Sequence, residues 1–262
     1  MDEPALKITT DVRRWDEEEL YALSIDVQDV DFQTFFGHPQ SDTRFDISPF
    51  VSQKLLECSE MPTEGSEKSV FQFWFYLQAS LTRLSNPLDF TWFLLRFLGF
   101  ENHDHMILRD TQMGSTIQGR DGVVPFPMGL VQLEKDSQEI KYKIIAKAFY
   151  EADDSFLCPH AQLIGEAIVS VAGDASEISQ VIGIIMQNGT RPIFYKIPIS
   201  RPLDAYARKA SQPRPAQTIV QRLDLKADLV NPGEERQNAF QALLAVKQLI
   251  CTVELEAGSG SG

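Results

Sequence analysis

The spacing of apolar residues changes at about residue 105, and this change restricts the fold more than any other feature of the sequence. Before it, apolar side chains recur at helical intervals over 66–84 and over a second segment that Asp89 can cap. After it come three short apolar runs, separated by polar or glycine-containing segments, at 106–108, 123–133 and 142–150. Helices followed by a β-meander predict an α+β or mixed α/β fold with a helical N-terminal layer.

The rest of the chain continues this mixed pattern. Pro159 begins an amphipathic segment that predicts a helix over about 159–171. Asn188-Gly189 lies between two apolar runs and is a strong signal for a β-hairpin. Residues 201–217 are polar and proline-containing, which predicts a mobile basic connection, and the residues after Pro232 predict a last helix.

Composition excludes several classes of protein. The 262 residues are 43% apolar, which is enough for a hydrophobic core, and the formal net charge of −13 argues against a globally basic nucleic-acid coat protein. No apolar run reaches the length of a membrane span, and the acidic N-terminus is unlike a signal peptide. We therefore expect an intracellular protein, cytoplasmic or nuclear, with no membrane association.

The three cysteines, Cys58, Cys158 and Cys251, are far apart in the sequence and form no CxxC motif. This spacing predicts neither a disulfide framework nor a structural zinc site. The sequence also contains no P-loop, no GxGxxG and no GxSxG motif, so it gives no signal for the nucleotide-binding sites or serine hydrolases that carry them.

Charge is distributed unevenly along the chain. Residues 1–68 carry 16 acidic and 6 basic residues, whereas residues 191–226 carry 8 basic and 2 acidic residues. If the protein binds a polyanion, we expect a local basic patch to do so, because the whole chain is acidic. The basic residues proposed for nucleic-acid binding are Arg191, Lys196, Arg201, Arg208 and Lys209.

These patterns divide the chain into four parts. Residues 1–65 form an acidic, partly helical N-terminal segment, and 66–200 form a core that includes its leading helices. Residues 201–257 provide the basic connection and a C-terminal capping helix, and 258–262 (GSGSG) has the composition of an artificial linker.

Four segments in a fixed order carry a resemblance to a known family. They are Gly119-Arg120-Asp121-Gly122, the strand Lys143-Ile144-Ile145-Ala146-Lys147, the helical Gln162-Leu163-Ile164-Gly165-Glu166, and the run from Val181 to Ile197. Together they resemble the PD-(D/E)XK nuclease superfamily, and especially the restriction-endonuclease-like domains of fungal Crinkler-type proteins. The resemblance covers about residues 105–200 and implies a central mixed sheet flanked by helices.

The resemblance also implies roles for individual residues. Asp121 corresponds to the family's metal-binding aspartate, Lys147 to the lysine of its strand motif, and Gln162 to the glutamine on the following helix. Glu166 lies one helical turn after Gln162 and can support the same site. The expected cofactor is Mg²⁺ or Mn²⁺, which oxygen ligands bind well.

The sequence departs from the family pattern at Ile145, where the family has an acidic metal ligand. An apolar side chain cannot bind Mg²⁺, so the site is degenerate unless another acid replaces this ligand. Glu139-Ile140-Lys141 is an alternative ExK string, although polar residues precede it. Glu134, Asp136 and Glu151 are the other nearby acids.

Two functional hypotheses remain from the sequence. The first is a nuclease-like domain that binds nucleic acid and, if active, hydrolyses phosphodiesters with a divalent metal. The second keeps the same fold as a non-catalytic module for protein interaction or assembly. The sequence does not distinguish DNA from RNA and does not indicate an oligomeric state.

Overall fold

The structure is a computed structural model of the full chain. It describes residues 8–43, 53–60, 62, 68–83, 87–133, 140–150, 158–171, 178–209 and 212–258. The described helices are α1 (Glu17–Ala22), α2 (Phe32–Phe36), α3 (Gln53–Glu57), α4 (Lys68–Leu81), α5 (Pro87–Phe97), α6 (Pro159–Ser170), α7 (Arg201–Arg208) and α8 (Glu234–Gly258). Two short 3₁₀ helices cover Val12–Arg14 and Gln40–Asp42.

Within this part of the chain, seven strands form one mixed sheet in the order β1-β7-β6-β5-β4-β3-β2. The strands are β1 (Ile25–Val30), β2 (His105–Ile117), β3 (Arg120–Leu133), β4 (Ile140–Phe149), β5 (Ile178–Gln187), β6 (Arg191–Ser200) and β7 (Thr218–Leu223). The expected mixed sheet flanked by helices is confirmed at this level.

The connections explain the strand directions. β2, β3 and β4 form an antiparallel meander, and α6 then crosses to β5, which is parallel to β4. A parallel neighbour requires such a crossover, because a tight turn can join only antiparallel strands. β5 and β6 form a hairpin, β7 is antiparallel to β6, and β1 lies parallel to β7 at the sheet edge.

The sheet separates two hydrophobic cores, as the alternation along β4 illustrates. Ile144 and Ala146 pack into the core that contains α4, α5 and α8, whereas Ile145 packs into the core on the α6 face. Successive side chains of a strand point to opposite faces. Lys147 therefore shares the face of Ile145 and points toward α6, the element that completes the candidate site.

Turn chemistry confirms the hairpin prediction at Asn188-Gly189. Both residues have positive φ, +51° and +75°, as a two-residue type I′ hairpin turn requires. The β2–β3 turn is similar, with Gln118 at +52° and Gly119 at +73°. β3 begins at Arg120 and so includes Asp121, earlier than the predicted strand start at residue 123.

Two features of the chain ends differ from the sequence prediction. The mobile connection predicted for 201–217 is wrong in its first half, because the Ser200 hydroxyl caps α7 by accepting from the amide of Leu203. β7 was also missed, as was β1, its parallel partner from the acidic N-terminal segment. A six-residue edge strand with charged positions, such as β1, gives little periodicity to detect.

The N-terminal segment also packs directly on α6. Trp15 is buried, and a Cβ added at Gly165 would lie 2.7 Å from its ring, so a residue without a side chain is needed at this contact. The sequence also favours a helix over 48–58; residues 48–52 lie outside the described residues, and α3 covers Gln53–Glu57. Among the helices that the structure describes, none combines the length and apolarity needed to cross a bilayer.

Candidate functional site

Strand β4 and helix α6 bring three polar side chains together beneath the helix. Lys147 lies near the end of β4, and Gln162 and Glu166 are one turn apart on the α6 face that packs on the sheet. All three are buried, at 7%, 3% and 1% exposure. The structure thus brings together Lys147 and Gln162, which the family resemblance selected, and Glu166, which its helical spacing to Gln162 selected, because the crossover places α6 directly over β4.

The three side chains are linked by hydrogen bonds. Lys147 Nζ donates to Glu166 Oε1 at 2.7 Å and to Gln162 Oε1 at 3.3 Å. Burial raises the pKa of the Glu166 carboxyl, and the nearby Lys147 ammonium opposes that rise. The ammonium supplies the positive charge that a buried carboxylate needs.

One oxygen of this cluster remains unsatisfied. Glu166 Oε2 is buried and has no hydrogen-bond partner among the residues that the structure describes. Leaving a buried acceptor unpaired costs about 1–3 kcal/mol, and more when the group is charged. Such a cost favours a ligand that can bind this oxygen.

The cluster opens into a cavity of about 440 Å³. This volume lies within the range of small-molecule sites. Its polar walls include Arg13 and three consecutive β2 residues that the sequence analysis did not select, Asp110, Thr111 and Gln112. Its apolar walls are provided by Leu88, Pro125, Phe126, Pro127 and Ala148.

Asp110 brings a second carboxylate to the cavity through an irregularity in the sheet. Its φ is +49°, which is uncommon for a residue other than glycine. The alternation of side chains between the two faces of the sheet changes phase here in both strands. On β2, Ile107 and Met113 are an even number of residues apart but pack in opposite cores. The same is true of Phe126 and Met128 on β3. An unusual backbone conformation beside buried polar groups is a common feature of functional sites.

Asp121 lies away from this cavity. It is exposed near the tip of the β2–β3 hairpin, where its Oδ1 accepts a 2.7 Å hydrogen bond from Thr116 Oγ1. The register pairs Met128 with Ala146, so Pro127 lies across from Lys147. Pro127 is six residues from Asp121 on β3, a separation of about 20 Å at the usual strand rise. The expected approach of Asp121 to Lys147 is therefore wrong, because the strand extends far beyond the cavity.

Of the alternative ExK string, the structure describes Ile140 and Lys141 but not Glu139. Lys141 lies on β4 opposite Gln132 and does not line the cavity. Glu139 lies outside the described residues, as do Glu134, Asp136 and Glu151. A role for these four acids stays untested.

Two members of the predicted basic patch make contacts within the chain. Arg191 Nε donates to Asp228 Oδ2 at 2.9 Å. Lys196 Nζ donates to the Phe35 carbonyl at 2.6 Å, and burial lowers the pKa of this lysine. Both cations are therefore engaged by the fold before any polyanion binds.

The other three members lie at or within α7. Arg208 pairs with Asp204 one turn earlier, at 2.7 Å. Arg201 and Lys209 are exposed at the two ends of the helix. Nucleic-acid binding by the set stays a prediction, and its exposed members are Arg191, Arg201 and Lys209.

A second charged cavity, of about 580 Å³, lies where β1 and β7 end and β6 begins. Arg222 makes two hydrogen bonds to Asp29, at 2.5 and 2.7 Å, and Arg191 contributes its pair with Asp228. Lys226 pairs with Glu235 on the same wall. Each charged side chain named here has an oppositely charged partner, whereas Glu166 Oε2 in the first cavity has no hydrogen-bond partner among the described residues.

Comparisons with known proteins place no constraint on these assignments. A scan against protein-family models and a search of curated proteins found no match to this chain. Function must therefore be argued from the site, since a fold alone does not determine it. The buried Lys147–Glu166–Gln162 cluster and its cavity are the strongest basis for that argument.

Proposed function

We propose that this protein is a nuclease-like domain whose functional centre is the cavity at Lys147, Gln162 and Glu166. The observation that carries the proposal is the buried Lys147–Glu166 pair, whose second carboxylate oxygen lacks a partner beside an open cavity. Glu166 on α6 takes the place of the acid that Ile145 cannot supply. A strand meander followed by a crossover helix and a parallel strand is consistent with the proposed restriction-endonuclease-like fold.

The donor atoms at the cavity suit a hard divalent cation. Glu166 offers its unsatisfied Oε2 from α6, and Asp110 offers an exposed carboxylate from β2, and both residues line the cavity. Carboxylate oxygens are the ligands that Mg²⁺ and Mn²⁺ prefer. These two residues would hold the ion, which when bound polarises a phosphoryl oxygen and lowers the pKa of a bound water.

The remaining side chains have distinct roles in phosphodiester hydrolysis. Water attacks phosphorus, the bond to the leaving ester oxygen breaks, and the products are an alcohol and a phosphate monoester. Lys147 stabilises the negative charge that develops on the phosphoryl group. Gln162 accepts a hydrogen bond from the same ammonium and so fixes its direction. Arg13, an exposed residue of the cavity wall, makes two hydrogen bonds to Asp11 and would exchange this partner for a substrate phosphate.

A cleavage assay tests the proposal directly. Purified protein is incubated with single-stranded DNA, duplex DNA or RNA, with Mg²⁺, Mn²⁺ or excess chelator. We expect metal-dependent cleavage of at least one substrate. Glu166→Gln and Asp110→Asn should each lower the rate by at least about 100-fold, because each removes a charged ligand.

Asp121→Asn distinguishes this centre from the one that the family pattern implies. Asp121 is about 20 Å along β3 from Pro127, the residue across from Lys147, so we expect cleavage within about twofold of wild type. Loss of cleavage in Asp121→Asn, with full activity in Asp110→Asn and Glu166→Gln, would contradict the proposed centre. Circular dichroism of each variant checks that the fold is intact.

A non-catalytic interaction module is the second candidate, and a surface of α4 favours it. Phe71, Phe75 and Leu81 are 45%, 55% and 40% exposed on this helix. Exposed aromatic side chains one turn apart are typical of helix faces that bind other proteins. Absence of cleavage, together with a melting temperature that Mg²⁺ and Mn²⁺ leave unchanged, would favour this candidate over the nuclease.

A further inference from the structure

A second cluster of ligating side chains lies at the opposite end of α6 from Glu166. Cys158 immediately precedes the helix, His160 is in its first turn, and Glu17 is the first residue of α1. His160 Nε2 lies 2.8 Å from Glu17 Oε1. Cys158 Sγ lies 3.7 Å from that oxygen and 3.5 Å from His160 Nε2. In the described part of the chain, this is the one group of three such side chains whose ligand atoms lie within 4.8 Å of each other.

These separations are close to the edges of a metal-centred tetrahedron. Zinc–sulfur bonds of about 2.3 Å and zinc–nitrogen or zinc–oxygen bonds of about 2.0–2.2 Å place tetrahedral ligand atoms about 3.3–3.7 Å apart. The two sulfur distances fall in this range. The His160–Glu17 distance is that of a hydrogen bond and must lengthen by about 0.5 Å, a movement that the 72% exposed Glu17 side chain can make.

We propose that Glu17, Cys158 and His160 bind a zinc-class transition-metal ion, with a fourth position open to solvent or a small ligand. Cys158 supplies a soft donor from a buried position, and Glu17 leaves the site accessible from the surface. Binding breaks the S–H bond of Cys158, whose proton passes to solvent, and breaks the His160–Glu17 hydrogen bond. The site does not depend on the proposed nuclease function.

The chemistry of the cluster distinguishes a metal site from a thiol nucleophile. His160 Nδ1 and Nε2 lie at nearly equal distances from the sulfur, 3.6 and 3.5 Å, so neither nitrogen is aimed at the thiol proton as a base would be. A metal instead bonds the thiolate directly.

A metal at this position would join two distant parts of the chain. Glu17 and Cys158 are 141 residues apart in the sequence. The ion would fix α1 to the beginning of α6, and α6 carries Gln162 and Glu166 further along. A firmer attachment of α1 to α6 is therefore the expected structural consequence.

The test is a Co²⁺ titration of the full chain under reducing conditions. Four-coordinate Co²⁺ with a thiolate ligand gives a near-ultraviolet charge-transfer band and intense visible bands, and Zn²⁺ should abolish both. We expect one ion per chain. Cys158→Ser should remove the near-ultraviolet band, and Glu17→Gln should weaken binding by at least about tenfold, because a charged ligand is lost.

Matched variants make the result decisive. Glu18→Gln changes an exposed neighbour of Glu17, and Cys251→Ser removes an exposed thiol outside the cluster; both should bind as wild type does. If Cys158→Ser fails to fold, as judged by circular dichroism, His160→Gln replaces it and should weaken binding equally. Three results would each overturn the proposal. The near-ultraviolet band survives unchanged in Cys158→Ser and in His160→Gln, it disappears in Cys251→Ser, or it never forms at micromolar protein.

Discussion

The two charged cavities differ in what surrounds their ion pairs. In the α6 cavity, Lys147 and Glu166 have side chains that are 9% and 1% exposed, and Glu166 keeps one oxygen without a described partner. In the cavity where β1 and β7 end and β6 begins, Arg222 and Asp29 have side chains that are 42% and 51% exposed and contact each other through two hydrogen bonds. Asp228 of the second cavity is also buried, but its partner Arg191 is exposed, whereas both members of the Lys147–Glu166 pair are buried.

This difference shows that charge density along a sequence is a poor predictor of where a functional site lies. Residues 191–226 are the most basic stretch, yet Arg191, Arg208 and Arg222 each pair with a nearby aspartate. Exposed pairs contribute little, because water and salt already solvate both partners. A buried pair with an unsatisfied oxygen destabilises the folded state, so a function that uses this oxygen explains why the pair is present.

The largest expected effect comes from breaking the buried pair. Lys147→Met leaves the Glu166 carboxylate without its cation, and we expect a loss of about 3–5 kcal/mol in the free energy of unfolding. Arg222→Met is the matched change at the surface pair and should cost less than about 1 kcal/mol. Urea denaturation of the three proteins at neutral pH measures both differences.

A double variant separates loss of charge from loss of packing. Lys147→Met with Glu166→Leu removes both charges and keeps similar volumes, so it should recover a large part of the stability that Lys147→Met loses. A double variant as unstable as the single one would indicate that the lysine acts through packing alone. Equal costs for Lys147→Met and Arg222→Met would remove the distinction between the two cavities.

A smaller loss of stability is expected from a substitution where α6 contacts Trp15. Gly165→Ala would place a Cβ 2.7 Å from the Trp15 ring, so α6 or Trp15 must move. Such overpacking typically costs about 1–3 kcal/mol. Gly114→Ala is the control, because a Cβ there meets nothing within 4 Å. Thermal melts of both variants measure the effect, and a Gly165→Ala protein as stable as wild type would contradict the tight contact.

The secondary structure of the central region was largely predictable because its signals are local. Helix α6 begins at Pro159 as expected, and the β5–β6 hairpin turns at Asn188-Gly189 as expected. These features depend on residues within one turn of each other. β1 and β7 pair across almost the whole chain, and neither short strand carries a pattern strong enough to detect alone.

The candidate site was predictable only in part, and the reason is register. Gln162 and Glu166 share a helix face, which their four-residue spacing already indicates. Asp121 was misplaced because the predicted first strand ended at Leu108, whereas β2 and β3 extend to a turn at Gln118-Gly119. Asp110 was missed because its left-handed conformation, which accompanies the phase change at the cavity, has no sequence signal of its own.

The two regions should also respond to pH in opposite directions. Burial raises the pKa of Glu166 above its ordinary 4.5, so the folded state binds more protons than the unfolded state. The contribution of Glu166 to stability should therefore fall as pH rises above about 4.5, by at most about 1.4 kcal/mol per pH unit. The guanidinium of Arg222 lowers the pKa of Asp29 below 3.8, so its contribution is lost as pH falls through that region.

Conservative variants isolate these two titrations. The free energy of unfolding of wild type minus that of Glu166→Gln should decrease between about pH 4 and pH 7. The free energy of unfolding of wild type minus that of Asp29→Asn should instead increase between about pH 2.5 and pH 5. Denaturation curves across each range measure the slopes. Slopes of the same sign would contradict the assignment of one buried and one solvated carboxylate.

The smallest expected effect is the salt response of the surface pair. Ions screen exposed charges, with a Debye length of about 10 Å at 0.1 M salt and about 3 Å at 1 M. The stability lost in Arg222→Met, already below about 1 kcal/mol, should therefore shrink toward zero in 1 M NaCl. The loss in Lys147→Met should persist under the same conditions, because solvent ions do not reach a side chain that is 9% exposed. A Lys147→Met loss that salt removes would show that water and ions already reach Glu166, and the unsatisfied oxygen would then give no reason to expect a ligand in the α6 cavity.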